Sequence, residues 1–179
     1  VNFVLVTGSR DKAREAAQIL GRDLETRPME LPEIQAATAG EVARDKARQA
    51  FAALGRACVV EDAALELRAW GGMPGPFVKW FERAAGLPAL CRSLDAFSDR
   101  SAEAVCVLAL ATASGIVTAE GRLSGTIARA PAGGGGFGWD AIFVPDGHAR
   151  TFAQMRAGEK NAISHRRRAW EALRERLIF

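Results

Sequence analysis

Three lysines, three carboxylates and one glycine-rich aromatic stretch are the residues of this chain best suited to chemistry. Gly133, Gly134, Gly135 and Gly136 run directly into Phe137-Gly138-Trp139-Asp140. Glycines bring no side chain to a core and suit tight turns or close backbone approach. The stretch reads as a loop presenting Phe137, Trp139 and Asp140 to a ligand, since flat rings stack on flat ligands such as nucleobases for about 1–3 kcal/mol per base. A glycine-rich hairpin whose aromatics re-enter the core fits the same residues. Glu61-Asp62 closes an apolar run. Neighbouring strand residues face opposite ways, so one acid can enter a cleft while a strand-end turn acid remains the alternative. Glu33, beside Pro32, is either a surface acid or a metal ligand. Carboxylates are the hard oxygen ligands that magnesium takes.

These groups need elements to position them. Residues 2–7 read as a short strand that feeds Thr7-Gly8-Ser9-Arg10-Asp11-Lys12. A helix follows with Ala13, Ala16, Ala17 and Leu20 on one face, Ser9 as N-cap and Gly21 as stop. A strand, a glycine turn and a helix N-terminus make an anion site, because free N–H groups and the helix dipole point at the ligand. Lys12 in the first turn is unfavourable for the dipole and favourable for a phosphate. An ordinary βα turn with a solvated lysine is the alternative. Residues 24–30 read as a second strand and 41–54 as an amphipathic helix stopped by Gly55, with Lys46 beside its apolar stripe. Residues 57–60 form a buried-type strand ending in Glu61-Asp62, and 65–70 a partner strand. Pro76 opens a helix over 77–85 that carries Lys79, and 87–94 form another. Residues 101–112 and 115–130 are long β segments, and 141–144 a last short strand. One C-terminal helix is expected over 159–177, with Lys160, His165 and Arg166 near its start and Arg167 and Arg168 solvated.

The chain has 179 residues, 49% hydrophobic and 25% charged, with a formal net charge of +3. That is one domain of ordinary size with a sizeable core, 1–179, possessing room for two lobes. The mild positive charge suits an anionic small molecule rather than the basic face of a nucleic-acid coat. Cys58, Cys91 and Cys106 are odd in number and lack zinc spacing, which favours buried thiols in a reducing compartment. No stretch approaches the ~20 apolar residues of a membrane span. The expectation is a cytoplasmic protein with no membrane and no nucleic-acid partner.

The order of motifs resembles that of the inosine triphosphate pyrophosphatase family, over nearly the whole chain. The resemblance rests on Thr7-Gly8-Ser9 with Lys12, Leu31-Pro32-Glu33, Lys46, Val60-Glu61-Asp62, Gly71-Gly72, and Pro74-Gly75-Pro76 with Lys79-Trp80-Phe81. It continues through Ser124-Gly125, Phe137-Gly138-Trp139-Asp140, Pro145-Asp146-Gly147, Glu159-Lys160-Asn161 and Ser164-His165-Arg166. It implies an elongated mixed α/β fold around a long bent central sheet, with two lobes and a cleft between them, and a homodimer. The implied reaction is magnesium-dependent hydrolysis of the triphosphates of inosine, deoxyinosine and xanthosine to monophosphate and pyrophosphate. By position, Thr7, Gly8, Ser9, Arg10, Asp11 and Lys12 hold the phosphate tail beside Ala63, and Lys46 and Lys79 neutralise it. Glu33 and Asp62 hold Mg2+, and Asp62 also acts on the attacking water. The base stacks on Phe137, with Gly138, Trp139 and Asp140 completing the pocket and Lys160, His165 and Arg166 closing over it.

Three positions depart from the family pattern. Ser9 stands where Asn is usual, Ala63 where a hydroxyl residue is usual, and Ala132 where many members carry Arg. None removes a charge assigned to metal or phosphate. They motivate a second reading, a purine-nucleotide-binding relative with weak or altered turnover. The Arg166-Arg167-Arg168 run motivates a third, RNA binding, but the chain lacks an RNA-recognition motif.

Overall fold

A computed structural model describes residues 2–177. Its centre is one mixed seven-stranded sheet. Strands β1 (Val4–Val6), β2 (Thr26–Arg27), β3 (Cys58–Leu67), β5 (Ser101–Thr112), β6 (Gly115–Ile127) and β7 (Phe143–Pro145) lie in the order β2-β1-β3-β5-β6-β7, and β4 (Pro74–Gly75) pairs with β3. The β1 pairings are parallel and the others antiparallel. This is the mixed α/β architecture that the family resemblance implies.

Period-2 alternation along β3 sorts its side chains between two helical layers. Cys58, Val60 and Ala64 pack with Val105, Val107 and Ala109 under α2 (Ala39–Leu54), which presents Ala39, Ala43, Ala47 and Ala50. Val59 packs on the other face with Leu5, Leu108 and Leu110 under α1 (Arg10–Leu20) and α6 (His165–Arg176), which supply Ala16, Trp170 and Leu173. Towards the far ends of β3, β5 and β6, a third cluster gathers Leu65, Leu67, Leu123, Phe143 and Phe152 with Val78 of α3 (Val78–Ala85) and Leu90 of α4 (Leu87–Arg92).

The predicted caps hold. Ser9 Oγ accepts the Lys12 N–H at 3.2 Å, and Gly21 and Gly55 end their helices at positive φ. Several expected boundaries do not. The 24–30 strand shrinks to two exposed residues at the sheet edge. The 65–70 partner strand is the continuation of β3 itself, which ends at Leu67 in a turn over Arg68–Trp70. Glu61 and Asp62 therefore sit in mid-strand and not at a strand end. The last strand begins at Phe143, after a single turn over Gly138–Ala141. The long C-terminal helix is two helices, α5 (Ala157–Ile163) and α6, broken at Ser164. Ser164 takes an extended conformation and its side chain caps the Arg167 N–H, the usual preference of serine for an N-cap. α6 then lies hard against β6, where a Cβ on Gly121 would stand 2.1 Å from the His165 carbonyl oxygen. All three cysteines are free and buried, as their spacing suggests.

Candidate functional site

The sheet itself opens the cleft. β5 covers one edge of β3 along its whole length. On the other edge β1 pairs only with Cys58, Val59 and Val60, and β4 only with Leu65 and Glu66. Among the described residues, 61–64 have no strand partner on that side. Lys46 of α2 reaches into this gap and donates to the Glu61 carbonyl at 3.3 Å, to Asp62 Oδ1 at 3.3 Å and to Glu33 Oε1 at 3.1 Å. Lys79 of α3 pairs with the other Glu33 oxygen. A cavity of about 270 Å³ fills the gap, lined among others by Ser9, Lys12, Asp62, Ala63, Phe137 and His165.

Alternation sends the two adjacent acids to opposite layers. Asp62 faces α2, and burial pushes its carboxyl above the ordinary aspartate value although Lys46 and Lys12 pull it back. Its Oδ2 is buried without a partner among the described residues. Glu61 faces α6, where Arg166 grips both its oxygens, Nε at 2.9 Å and Nη2 at 2.8 Å. Burial alone would raise the Glu61 carboxyl, but the charges of Arg166 and Lys12 outweigh it and hold it well below the usual range.

A residue absent from the sequence reading completes this layer. Glu15 of α1 is buried and pairs with Lys160 Nζ at 2.7 Å and with Arg166 Nη1. Asp140 also binds Lys160 and accepts the Phe137 N–H at 2.8 Å. Lys12, Lys160 and Arg166 thus interleave with Glu15, Glu61 and Asp140 in one largely buried network. The only sequence signal for Glu15 was its place next to the apolar face of α1, one turn after Lys12.

The aromatic loop answers both earlier readings of its residues. Trp139 enters the core, 5.7 Å from Phe143 and 5.2 Å from His165 between ring centres, while one part of it still lines the cavity. Phe137 stays half-buried on the cavity wall, backed by the cations of Lys160 at 4.7 Å and Arg166 at 5.3 Å. Such contacts fix the ring and make its face a firm platform. Asp140 is a structural latch: a Cβ on Gly136, at φ +67°, would clash with its Oδ2. His165 is neutral, since burial and the neighbouring Arg166 and Lys160 depress its pKa well below the ordinary value, and its Nδ1 has no partner among the described residues.

The expected residues are therefore not equally placed. Ser9, Lys12, Glu33, Lys46, Asp62, Ala63, Lys79, Phe137, Gly138, Trp139, Asp140, His165 and Arg166 all border the cavity. Thr7 lies just behind, its Oγ1 accepting the Ser9 N–H at 3.1 Å and fixing the turn next to Gly8. Arg10 is exposed, and Asp11 accepts from Arg14 at 2.6 Å. Lys160 is buried beneath Phe137 and acts through it. Arg167 is half-buried rather than solvated, and Arg168 is exposed but donates to the Arg122 carbonyl.

Comparison with known proteins identifies the family. Residues 3–176 match the family model described as the Ham1 family. An inosine triphosphate pyrophosphatase of Aspergillus oryzae is 43% identical over 177 residues, 97% of this chain and 92% of that protein. A HAM1 protein from Coxiella burnetii has a similar structure, with a TM-score of 0.83 and 34% identity over 98% of each chain. A nucleoside-triphosphatase, or dITP/XTP pyrophosphatase, from Mycobacterium abscessus superposes with a TM-score of 0.75 and 36% identity, covering 95% of this chain and 97% of that one. With sequence similarity and fold matching over almost its entire length, this chain belongs to the Ham1 family.

Proposed function

We propose that this protein hydrolyses non-standard purine nucleoside triphosphates, those of inosine, deoxyinosine and xanthosine, to the monophosphate and pyrophosphate, and so cleanses the nucleotide pool. The observation that carries the reading is Asp62. It is a buried carboxylate with one oxygen that has no partner among the described residues, in a cavity lined also by Lys12, Lys46, Lys79 and Phe137. Buried polar atoms are nearly always paired, so an orphaned oxygen on a cavity wall calls for a ligand.

The lysines gather the triphosphate and offset charge that builds on its oxygens during transfer. Asp62 orients a water and accepts its proton as the α–β phosphoanhydride bond breaks. The base lies on Phe137. Three of the five Arg166 N–H donors are committed to Glu61 and Glu15, which leaves two. Those donors match the 6-oxo acceptor of hypoxanthine and xanthine and oppose the 6-amino donor of adenine.

Mg2+ fits Glu33 and Asp62. Among the described residues no three His, Cys, Asp or Glu side chains cluster as a protein-only metal cage. Magnesium characteristically takes one or two carboxylates together with substrate phosphates, and the free Asp62 oxygen suits that donor set. When bound it would supply Lewis-acid stabilisation of phosphate charge. Lys46 and Lys79, which hold Glu33 and Asp62, would release them to metal and turn to phosphate.

The reading also comprises one two-lobed catalytic unit over 1–179, a homodimer and a cytoplasmic location; no helix among the described residues is long and apolar enough to cross a membrane. Light scattering on the purified protein tests the dimer. The catalytic claim is tested with Asp62→Asn. The variant should bind inosine triphosphate with an affinity within a few-fold of wild type and lose turnover by at least about a hundredfold. Near-normal turnover would remove Asp62 from the chemistry.

A further inference from the structure

α3 places a second cation beside Lys79 that the chemistry above does not use. Arg83 follows Lys79 by four residues, so the two side chains leave the same helix face with Cβ atoms about 5–6 Å apart. Both line the cavity, and both lie near the Trp80 ring, Lys79 Nζ at 5.3 Å and Arg83 Cζ at 5.4 Å from its centre. Burial lowers the Lys79 pKa first, and the charge of Arg83 lowers it next, ahead of that of Lys12. Arg83 therefore belongs to the same group of cations. It is the outermost of those on this wall: the Lys46 side chain is 14% exposed and that of Lys79 36%, and Arg83 is exposed. Lys46 is held by Glu33 and Asp62, and Lys79 by Glu33. Among the described residues Arg83 makes no ion pair, and Trp80 alone steadies its guanidinium.

A polyphosphate gathered by Lys46 and Lys79 has one phosphate bonded on a single side, the terminal one. It carries three unbridged oxygens and the most charge of the tail. With the α–β bond beside buried Asp62, the terminal phosphate is the part of the tail furthest along the chain from the reaction, and the rim cation is the one left to meet it. We propose that Arg83 is a specificity-determining residue that grips the terminal phosphate of the substrate and so favours triphosphates over diphosphates. A guanidinium matches two phosphate oxygens at once through parallel N–H donors, which an ammonium does not. The terminal phosphate departs within pyrophosphate and no bond to it changes. The contact therefore acts alike on bound substrate and transition state and shows in KM rather than kcat. This inference rests on the nucleotide reading of the cavity and names the residue that reads the length of the phosphate tail.

The test measures equilibrium binding of inosine triphosphate, inosine diphosphate and inorganic tripolyphosphate in chelator, with wild type, Arg83→Ala and Arg83→Lys. Arg83→Ala should weaken the triphosphate by about tenfold, the size expected of one hydrogen bond to a charged group, and leave the diphosphate within about twofold. Tripolyphosphate, which has neither base nor sugar, should weaken by the same factor as inosine triphosphate. Arg83→Lys, which keeps the charge and loses the paired donors, should fall between. In turnover, Arg83→Ala should raise KM for inosine triphosphate with kcat nearly unchanged. Unchanged triphosphate binding would overturn the proposal, and so would equal losses on triphosphate and diphosphate, the mark of a general field. A changed preference between inosine and guanosine triphosphates with tripolyphosphate unaffected would also overturn it, by placing Arg83 at the base edge. Arg83-dependent binding of the triphosphate tail without hydrolysis would sustain this inference and refute the pyrophosphatase reading. Hydrolysis with an Arg83-independent KM would do the reverse.

Discussion

Replacing Glu15 with alanine should destabilise the protein far more than the loss of one surface ion pair. Glu15 is 5% exposed, and its two oxygens serve Lys160 and Arg166, themselves 3% and 2% exposed. Truncation leaves three cations, Lys12, Lys160 and Arg166, against two carboxylates, Glu61 and Asp140, with little water to solvate the surplus. Breaking a buried pair by removing one partner costs about 3–5 kcal/mol. Each orphaned cation keeps a second carboxylate, Asp140 for Lys160 and Glu61 for Arg166, which places the loss near the lower end. With a urea m-value of about 2 kcal/mol/M, the unfolding midpoint should drop by about 1.5 M at unchanged m. The control is Arg56→Ala, which removes a half-exposed pair with Glu25 and should move the midpoint by less than about 0.5 M. If Glu15→Ala stays within about 0.5 M of wild type, the buried network does not hold the site together and the reasoning fails.

Other consequences can be read from the same contacts. Gly121→Ala places a methyl against the His165 carbonyl and the Ala169 N–H, both backbone, so α6 must move; differential scanning calorimetry should show a loss of at least about 1–3 kcal/mol, and an unchanged Tm would mean the helix docks more loosely. His165 is neutral in the fold, with a depressed pKa, so the unfolded chain takes up its proton first. Stability should therefore be intact above pH ~6.5 and fall below it, approaching about 1.4 kcal/mol per pH unit, and His165→Phe should flatten that slope in urea titrations between pH 5 and 7. Arg166→Ala should narrow the gap between inosine and adenosine triphosphates in kcat/KM; an unchanged ratio would move base recognition elsewhere.

The parts of this fold that follow local rules were legible in the sequence. Ser9, Gly21 and Gly55 mark helix ends through backbone chemistry that acts within a few residues. Pairing partners were less legible. Nothing local says that β1 and β4 share one edge of β3 and stop short of one another, yet that gap makes the cleft. Period alone ran α5 and α6 together, because the apolar seam continues across Ser164 and only its capping bond breaks the helix. Most of the charged groups that border the cavity were found through their motifs; Glu82 and Arg83 of α3 were not. Glu15 was not, since an acid beside an alanine stripe looks solvated until Lys160 and Arg166 arrive from 145 and 151 residues away. Trp139 shows the converse: one ring serves both the core and the cavity wall, so neither of the two opposed readings of the loop was complete.

The central claim is the reaction itself. Purified protein is incubated with inosine, xanthosine, guanosine and adenosine triphosphates, with magnesium and with chelator, and both pyrophosphate and phosphate are measured. Magnesium-dependent release of pyrophosphate, fast with the first two nucleotides and slow with the others, is the predicted result. Tight binding of those two nucleotides without pyrophosphate release, or release of phosphate in its place, would contradict the account and make Ala63→Ser the next variant to examine.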